Sequence, residues 1–186
     1  MNSVLGVILA GGKSSRMGEE KATLLRNNES MLTYTHRILK NTGVDRVTVS
    51  GDKYDVSDIY PNLGPLSGIF SVLKKYQPEA MLIVPIDLPF IDEETLKPLM
   101  VMGASNQLAC SYDEHSLPLY LPNSGYLDLW LTNRLKQNSI KGPSFKELFA
   151  AIPSHKMKLA NHKALTNCNT PAQWQLANQQ IESNNE

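Results

Sequence analysis

The chain has 186 residues, which is enough for one α/β domain with a sizeable core and too short for two ordinary domains. Its 18 basic and 18 acidic residues balance, so neither nucleic acid nor an anionic membrane surface is an expected partner. No apolar stretch reaches membrane-spanning length, and Cys110 and Cys168 have no neighbours at zinc-ligand spacing. We therefore expect a cytoplasmic protein with reduced thiols, in which local groups hold any anionic ligand.

The first elements form a βαβ unit. The apolar run 4–10 predicts a strand buried on both faces of a sheet, and not a signal peptide, because no basic residue precedes it. The pattern then predicts a helix over 31–41 that stops at Gly43, followed by an alternating strand over 46–50.

The same alternation continues through the next sixty residues. A helix is predicted over 65–76, a buried strand over 80–84, and a helix capped by Asp92 with acidic residues in its first turn. Residues 108–111 would return to the sheet. Strands and helices that alternate at this spacing predict an open, doubly wound, mostly parallel sheet in a three-layer α/β/α fold.

The pattern is less regular beyond residue 112. A strand is predicted over 117–121, helices over 126–136 and 144–151, and a last helix that starts at Pro171. We interpret this part as an elaboration of the same sheet, so the chain 1–186 is expected to be a single domain.

Open α/β sheets bind ligands outside the carboxyl ends of their strands, so the turns after Ala10, Ser50 and Val84 should meet in one crevice. The first of these turns contains Gly11 and Gly12, with three cations, Lys13, Arg16 and Lys21, in the residues that follow. Glycines let backbone N–H groups approach phosphate oxygens, and the cations supply charge. A polyphosphate site is therefore favoured over an ordinary flexible turn.

A Walker A loop is the obvious rival for this turn, because Gly12-Lys13-Ser14 is present. The spacing excludes it. Gly6 and Gly11 are correctly spaced, but Gly12 then occupies the position that the motif gives to lysine.

The turn after the third strand reads Pro85-Ile86-Asp87-Leu88-Pro89-Phe90. Because Mg²⁺ needs only one or two protein carboxylates beside substrate phosphates and water, Asp87 is a candidate metal ligand. An isolated Asp in a turn also commonly forms an Asx-turn or a helix cap, and both interpretations stay open.

Between these turns, the segment Gly64-Pro65-Leu66-Ser67-Gly68 opens the second helix. Its free N–H groups are suited to a nucleotide sugar or base. A simple helix start with a close-packed Gly68 explains the segment equally well.

Four motifs together resemble the molybdenum cofactor guanylyltransferase family, within the superfamily of sugar-nucleotide-type pyrophosphorylases. They are LAGGKSSRMG with Lys21, GPLSG, PIDLPF and the late Asn167-Cys168-Asn169-Thr170-Pro171, in matching order along nearly the whole chain. The resemblance implies a Rossmann-like nucleotidyltransferase fold. It also implies that the terminal phosphate of Mo-molybdopterin attacks the α-phosphate of GTP and that pyrophosphate leaves.

The resemblance also implies roles for particular residues. Residues 9–12 (Leu9, Ala10, Gly11 and Gly12) would contact guanine and ribose, as would Ser50 and Asp58. Lys21 would neutralise the triphosphate and Asp87 would ligate Mg²⁺; with Arg16, these are the candidate catalytic residues. The first half of the chain, to about residue 105, would bind the NTP and the second half the acceptor.

The chain departs from the family at Glu20, where an aspartate is usual, a tolerable change if the acid only orients Lys21. Ser50 stands near a position where the family often has an asparagine that contacts the nucleotide. For Asn167 and Asn169, contact with the acceptor and simple capping of the last helix are both open.

Two other functions remain open from the sequence. One is transfer of CMP to the molybdenum cofactor, or of a nucleotide to another phosphorylated acceptor. The other is a GTP-binding regulatory protein without turnover. Expected partners are GTP and Mo-molybdopterin, with a molybdopterin-delivering protein and molybdoenzymes or their chaperones as further candidates.

Overall fold

The structure is a computed structural model that describes residues 3–11, 20–137 and 141–183. Its strands are β1 (Val4–Leu9), β2 (Leu25–Arg26), β3 (Glu29–Ser30), β4 (Arg46–Ser50), β5 (Ala80–Pro85), β6 (Ala109–Tyr112), β7 (Leu119–Pro122) and β8 (Ser154–Met157). Its α-helices are α1 (Met31–Asn41), α2 (Pro65–Tyr76), α3 (Glu93–Asn106), α4 (Gly125–Lys136), α5 (Phe145–Ala151) and α6 (Pro171–Glu182). Two short 3₁₀-helices cover Lys21–Thr23 and His162–Leu165.

Six strands form one central sheet in the order β4-β1-β5-β7-β6-β8. β1 pairs in parallel with both β4 and β5, while β7 runs antiparallel to its neighbours β5 and β6, and β8 is parallel to β6. The carboxyl ends of all strands of this sheet except β7 therefore lie at the same edge. The chain leaves β1 for β4 on one side and then crosses to β5 on the other, which makes this edge beside β1 the expected ligand crevice.

Helices cover both faces of the sheet, as predicted. On one face, α1 and α3 pack over the even-numbered side chains of β1 and β5, including Ile8, Leu82 and Val84. On the other face, α2, α4 and α5 pack over the odd-numbered side chains, including Val7 and Ile83. β1 and β5 are buried on both faces, which explains their continuous apolar sequences. The predicted three-layer, doubly wound, mostly parallel α/β fold is confirmed.

Local sequence signals account for most element ends. α1 ends at Asn41, and Gly43 follows in the left-handed region at φ 94°. Asp92 caps α3, its side chain accepting a hydrogen bond from the Thr95 N–H at 2.7 Å. Pro171 is the first residue of α6, as predicted.

Two features were not predicted from the sequence. β2 and β3 form a small hairpin in which Asn27 and Asn28 both have positive φ, at 49° and 62°, which favours asparagine or glycine. β8 joins the sheet edge beside β6, although its sequence is polar and mostly exposed. The ends of β7 differ from the predicted bounds by one to two residues, and those of β1, β5, β6, α4 and α5 differ by one residue at one or both ends.

Within the three described ranges, no helix is both long and apolar enough to cross a lipid bilayer.

The close packing of α3 on β7 provides a test of the core. A Cβ placed on Gly103 would lie 2.1 Å from Cδ1 of the fully buried Tyr120. We predict that Gly103→Ala lowers the free energy of unfolding by about 2 kcal/mol, because overpacking outweighs the gain in helix propensity. Urea denaturation would measure this.

Gly125→Ala is the matched control, since a Cβ at this first residue of α4 meets no atom within 4 Å. It should change the stability by less than about 0.5 kcal/mol. Equal stabilities for the two variants would contradict this account of the packing.

Candidate functional site

The ends of β1, β4 and β5 lie side by side, with Leu9 opposite both Ser50 and Pro85. The backbone continues this arrangement beyond the strands. The Ala10 and Gly11 N–H groups both donate to the Ser50 carbonyl, at 2.9 Å and 3.0 Å. The three turns that the sequence singled out therefore lie at one edge of the sheet.

Gly68, in the first part of α2, lies where three of the predicted nucleotide-binding residues meet. A Cβ on Gly68 would lie 2.6 Å from Ser50 Oγ, 3.3 Å from Asp58 Oδ1 and 3.6 Å from Leu9 Cδ2. The glycine thus leaves room for these side chains beside the helix. This close packing of Gly68 was one of the two interpretations left open.

Asp58 is half-buried in this group, and its surroundings disfavour the charged form. Burial first, and then the negative charge of Asp52, raise the pKa of the Asp58 carboxyl above its ordinary value. A ligand that donates hydrogen bonds to the carboxylate would relieve this cost.

Lys21 joins two distant segments of the chain at the end of β5. Its Nζ lies 3.0 Å from Asp87 Oδ2 and donates to Asn169 Oδ1 at 2.6 Å. The side chains of Lys21 and Asp87 are each only 17% exposed. Because little water screens the charges, the attraction between them is stronger than in an exposed pair, although burial also adds a desolvation cost.

One carboxylate oxygen of Asp87 has no hydrogen-bond partner among the described residues. Asp87 Oδ2 faces Lys21, but Oδ1 is buried and has no hydrogen-bond donor among the described residues. A buried carboxylate oxygen without a donor is costly, so a bound cation or water would be stabilised there. Asp87 Oδ1 is therefore a candidate position for a ligand, and the metal-ligand role of Asp87 stays a prediction.

The C-terminal segment brings Asn169 to Lys21. The Cys168 N–H donates to the Asp87 carbonyl at 3.0 Å, and the Asn169 N–H donates to Gln173 Oε1 at 2.8 Å. Cys168 is buried, and burial together with the Asp87 charge raises the pKa of its thiol. The segment is thus tied both to the end of β5 and to α6.

The two candidate asparagines differ in position. Thr170, and neither asparagine, caps α6, in a capping box with Gln173. Asn169 turns its side chain to Lys21, whereas Asn167 is exposed. The capping interpretation of these asparagines is therefore wrong.

The Glu20 carboxylate pairs with Tyr54 and Lys53 rather than directly with Lys21. The Tyr54 hydroxyl donates to Glu20 Oε1 at 2.7 Å, and Lys53 Nζ lies 3.4 Å from Oε2. The hydrogen bond from Tyr54 lowers the pKa of the Glu20 carboxyl. No local sequence pattern could have paired Glu20 with a residue more than thirty positions away.

Arg26 supports the turn that carries Asp87, and this too was not predicted. Its Nε donates to the Pro89 carbonyl at 2.6 Å, and its guanidinium lies 3.9 Å from the centre of the Tyr34 ring. The hairpin of β2 and β3 thereby holds the turn from the side of α1.

Within the described part of the chain, no group of three or more His, Cys, Asp or Glu residues could hold a metal ion by itself. A divalent cation at Asp87 would thus need ligands beyond the His, Cys, Asp and Glu side chains of the described residues, such as oxygens of a substrate or of water. Gly12 and Arg16, which the sequence placed in the phosphate-binding turn, lie outside the described residues.

The chain matches the model of the MobA-like NTP transferase domain over residues 6–141. A similar fold is seen in the molybdopterin-guanine dinucleotide biosynthesis protein A of Archaeoglobus fulgidus (17% identity, TM-score 0.76, 96% of this chain and 99% of that one). A Mycobacterium tuberculosis protein solved in complex with manganese is also similar (16% identity, TM-score 0.67, 95% and 98%). Fold and family model together define a nucleotidyltransferase.

A molybdenum cofactor guanylyltransferase from Xanthomonas euvesicatoria pv. vesicatoria is 32% identical over 176 residues, which cover 91% of each chain. This chain belongs to the molybdenum cofactor guanylyltransferase family, within the MobA-like NTP transferases. The resemblance noted from the four motifs is confirmed.

The Lys21–Asn169 hydrogen bond can be tested without a ligand. We predict that Asn169→Ala lowers the free energy of unfolding by about 1 kcal/mol in the wild-type background, because Lys21 loses an acceptor. In a Lys21→Met background the same change should cost much less, giving a coupling energy of about 1 kcal/mol in a double-mutant cycle measured by urea denaturation.

Asn167→Ala is the matched control. This exposed residue is only two positions away, so its truncation should cost less than about 0.5 kcal/mol in both backgrounds. An equal cost of Asn169→Ala in both backgrounds would show that the contact with Lys21 contributes nothing.

Proposed function

We propose that this nucleotidyltransferase transfers GMP from GTP to the terminal phosphate of Mo-molybdopterin, giving the guanine dinucleotide cofactor and pyrophosphate. The observation that carries the proposal is the cluster of Lys21, Asp87 and Asn169 at the carboxyl edge of the sheet. In this cluster, a carboxylate and an amide from two distant motifs both lie within hydrogen-bond distance of the Lys21 ammonium. The names of the sequence relatives support the same activity.

The guanosine part of GTP is proposed to lie against Leu9, Ala10, Gly11, Ser50 and Asp58. These residues lie at or near the ends of β1 and β4, and Gly68 lets the side chains of Leu9, Ser50 and Asp58 pack closely against the start of α2. The half-buried Asp58 carboxylate accepts hydrogen bonds, which suits either the N–H groups on the guanine edge or the ribose hydroxyls. Gly12 is included in this site by resemblance alone.

A divalent cation, Mg²⁺ in the cell, fits the carboxylate at the end of β5. Asp87 Oδ1 is buried and lacks a donor among the described residues, and carboxylate oxygen is a preferred ligand of hard cations. When bound, the cation would neutralise phosphate charge and polarise the α-phosphate. The manganese complex of the M. tuberculosis protein is a property of that protein, and it agrees with a divalent-ion site in this fold.

The reaction needs no nucleophile from the protein. A phosphate oxygen of the acceptor would attack the α-phosphorus of GTP, and the bond from that phosphorus to the bridging oxygen of the β-phosphate would break. Lys21 would stabilise negative charge on the triphosphate, assisted by Arg16. Phosphoryl-type transfer depends chiefly on positioning and electrostatic stabilisation, and this cluster would supply both.

The second half of the chain is proposed to bind the acceptor. β6 and β8 run parallel to β5, so their carboxyl ends lie at the same edge as Asp87. Asn169 would be shared between Lys21 and the acceptor, and the exposed Asn167 would contact the acceptor from the same segment. A protein that delivers molybdopterin, and molybdoenzymes or their chaperones that accept the product, are proposed partners.

The decisive assay mixes the protein, Mg²⁺, freshly prepared Mo-molybdopterin and each of the four common NTPs, and follows pyrophosphate release. We predict release with GTP only, and none in Asp87→Ala. Lys21→Ala should be slower by about a hundredfold or more, because a preorganised charge in the transition state contributes about 3 to 4 kcal/mol.

Lys97→Ala is the control that shows whether removing any one lysine side chain slows turnover. Lys97 is half-exposed on α3 and pairs with Glu93 of the same helix, so its loss should leave turnover unchanged. Release with CTP would assign the protein to CMP transfer. GTP binding without release, in the presence of active acceptor, would indicate a regulatory binding protein.

A further inference from the structure

Glu20, the residue before Lys21, makes a contact that the proposed chemistry does not use. Lys21 begins a 3₁₀-helix of only three residues, and Glu20 is the residue before it. The Glu20 carbonyl accepts from the Thr23 N–H at 3.0 Å and from the Thr23 hydroxyl at 2.8 Å. So short a helix has few internal hydrogen bonds, and its orientation must be fixed from outside.

Tyr54 provides such a contact from the loop after β4. Its hydroxyl donates to Glu20 Oε1 at 2.7 Å. Its own backbone is held in a turn, with the Tyr54 N–H donating to the Gly51 carbonyl at 2.9 Å. The aromatic ring packs on Gly51, where an added Cβ would lie 3.0 Å from Tyr54 Cδ2.

The same loop is joined to the end of β1. An added Cβ on Gly51 would lie 3.1 Å from the Gly11 nitrogen, and the Gly11 N–H donates to the carbonyl of Ser50. Tyr54 therefore connects Glu20 to the rigid ends of β1 and β4. These strand ends border the proposed guanosine site.

We infer that Tyr54 and Glu20 form a positioning pair that holds Lys21 in register with Asp87 and Asn169 during nucleotidyl transfer. Neither residue touches the reacting atoms in this scheme. The inference rests on the proposed function for its consequence in catalysis, but the contact itself can be tested in the protein without any ligand.

The protonation states suit this hydrogen bond. Burial, followed by the hydrogen bond to the carboxylate, raises the pKa of Tyr54 to about 12, so the phenol keeps its proton at neutral pH. The hydrogen bond from Tyr54 lowers the pKa of Glu20, so the carboxylate stays ionised and accepts. Lys53 adds a weaker contact, with 78% of its side chain exposed.

Four variants separate the effects of the Tyr54–Glu20 hydrogen bond, of the Glu20 charge and of the length of the Glu20 side chain. Tyr54→Phe removes only the donor, and Glu20→Ala removes the acceptor. Glu20→Gln loses the charge but keeps an oxygen at the same distance from the backbone, whereas Glu20→Asp keeps the charge and is one methylene shorter. Tyr126→Phe, at an exposed tyrosine on α4, is the matched control.

In the pyrophosphate assay we predict that Tyr54→Phe, Glu20→Ala and Glu20→Asp lower kcat by about tenfold, with KM for GTP changed less than about twofold. Glu20→Gln should remain within about threefold of the wild type. The Tyr54→Phe/Glu20→Ala double variant should be no slower than either single variant, because both remove the same contact. An unchanged kcat in Tyr54→Phe, or a loss in Tyr126→Phe of equal size, would overturn the inference.

A second readout needs no activity. The Thr23 and Leu24 N–H groups donate to the Glu20 and Lys21 carbonyls, so their exchange with deuterium reports on the short helix that carries Lys21. We expect exchange at both amides to rise about tenfold in Tyr54→Phe and Glu20→Asp, and to stay near wild type in Glu20→Gln and Tyr126→Phe. No change in Tyr54→Phe would refute the pair, whereas an inactive wild type with the expected exchange would refute only the proposed function.

Discussion

The sharing of the Lys21 ammonium between Asp87 and Asn169 is the interaction on which the site depends. It brings together three segments that are far apart in sequence: the residues after β1, the turn after β5 and the segment before α6. The side chains of Lys21 and Asp87 are each only 17% exposed, so the attraction between them is only weakly screened. The fold brings the backbone of these three segments to one edge of the sheet. The contacts of Lys21 then determine which of their side chains meet there.

Much of the fold could be predicted from the sequence because the first half obeys local rules. β1 and β5 are apolar throughout since both faces are covered, and α1 and α2 have clear starts and stops. β8 has no such signal: it lies at the sheet edge, so its side chains are mostly exposed and its sequence is polar. Its place depends on pairing with β6, which is a nonlocal interaction.

The site was predictable to a similar degree. Glycines and cations after one buried strand, and Asp87 after another, indicated the edge, and the motif resemblance added Asn169 as a candidate. The partners of each group could not be inferred, because Lys21 and Asn169 are separated by 148 positions and Glu20 and Tyr54 by 34. Contacts between such distant residues depend on the packed structure, which no short pattern records.

The antiparallel strand β7 has a further geometric consequence. By running opposite to β5 and β6, it lets the chain place the carboxyl ends of β6 and β8 on the same side as those of β4, β1 and β5. Five strand spacings of about 4.8 Å make this edge about 24 Å wide. Under the proposed function, this width lets the nucleotide and the acceptor lie side by side along the edge, and the product that joins them would extend across it.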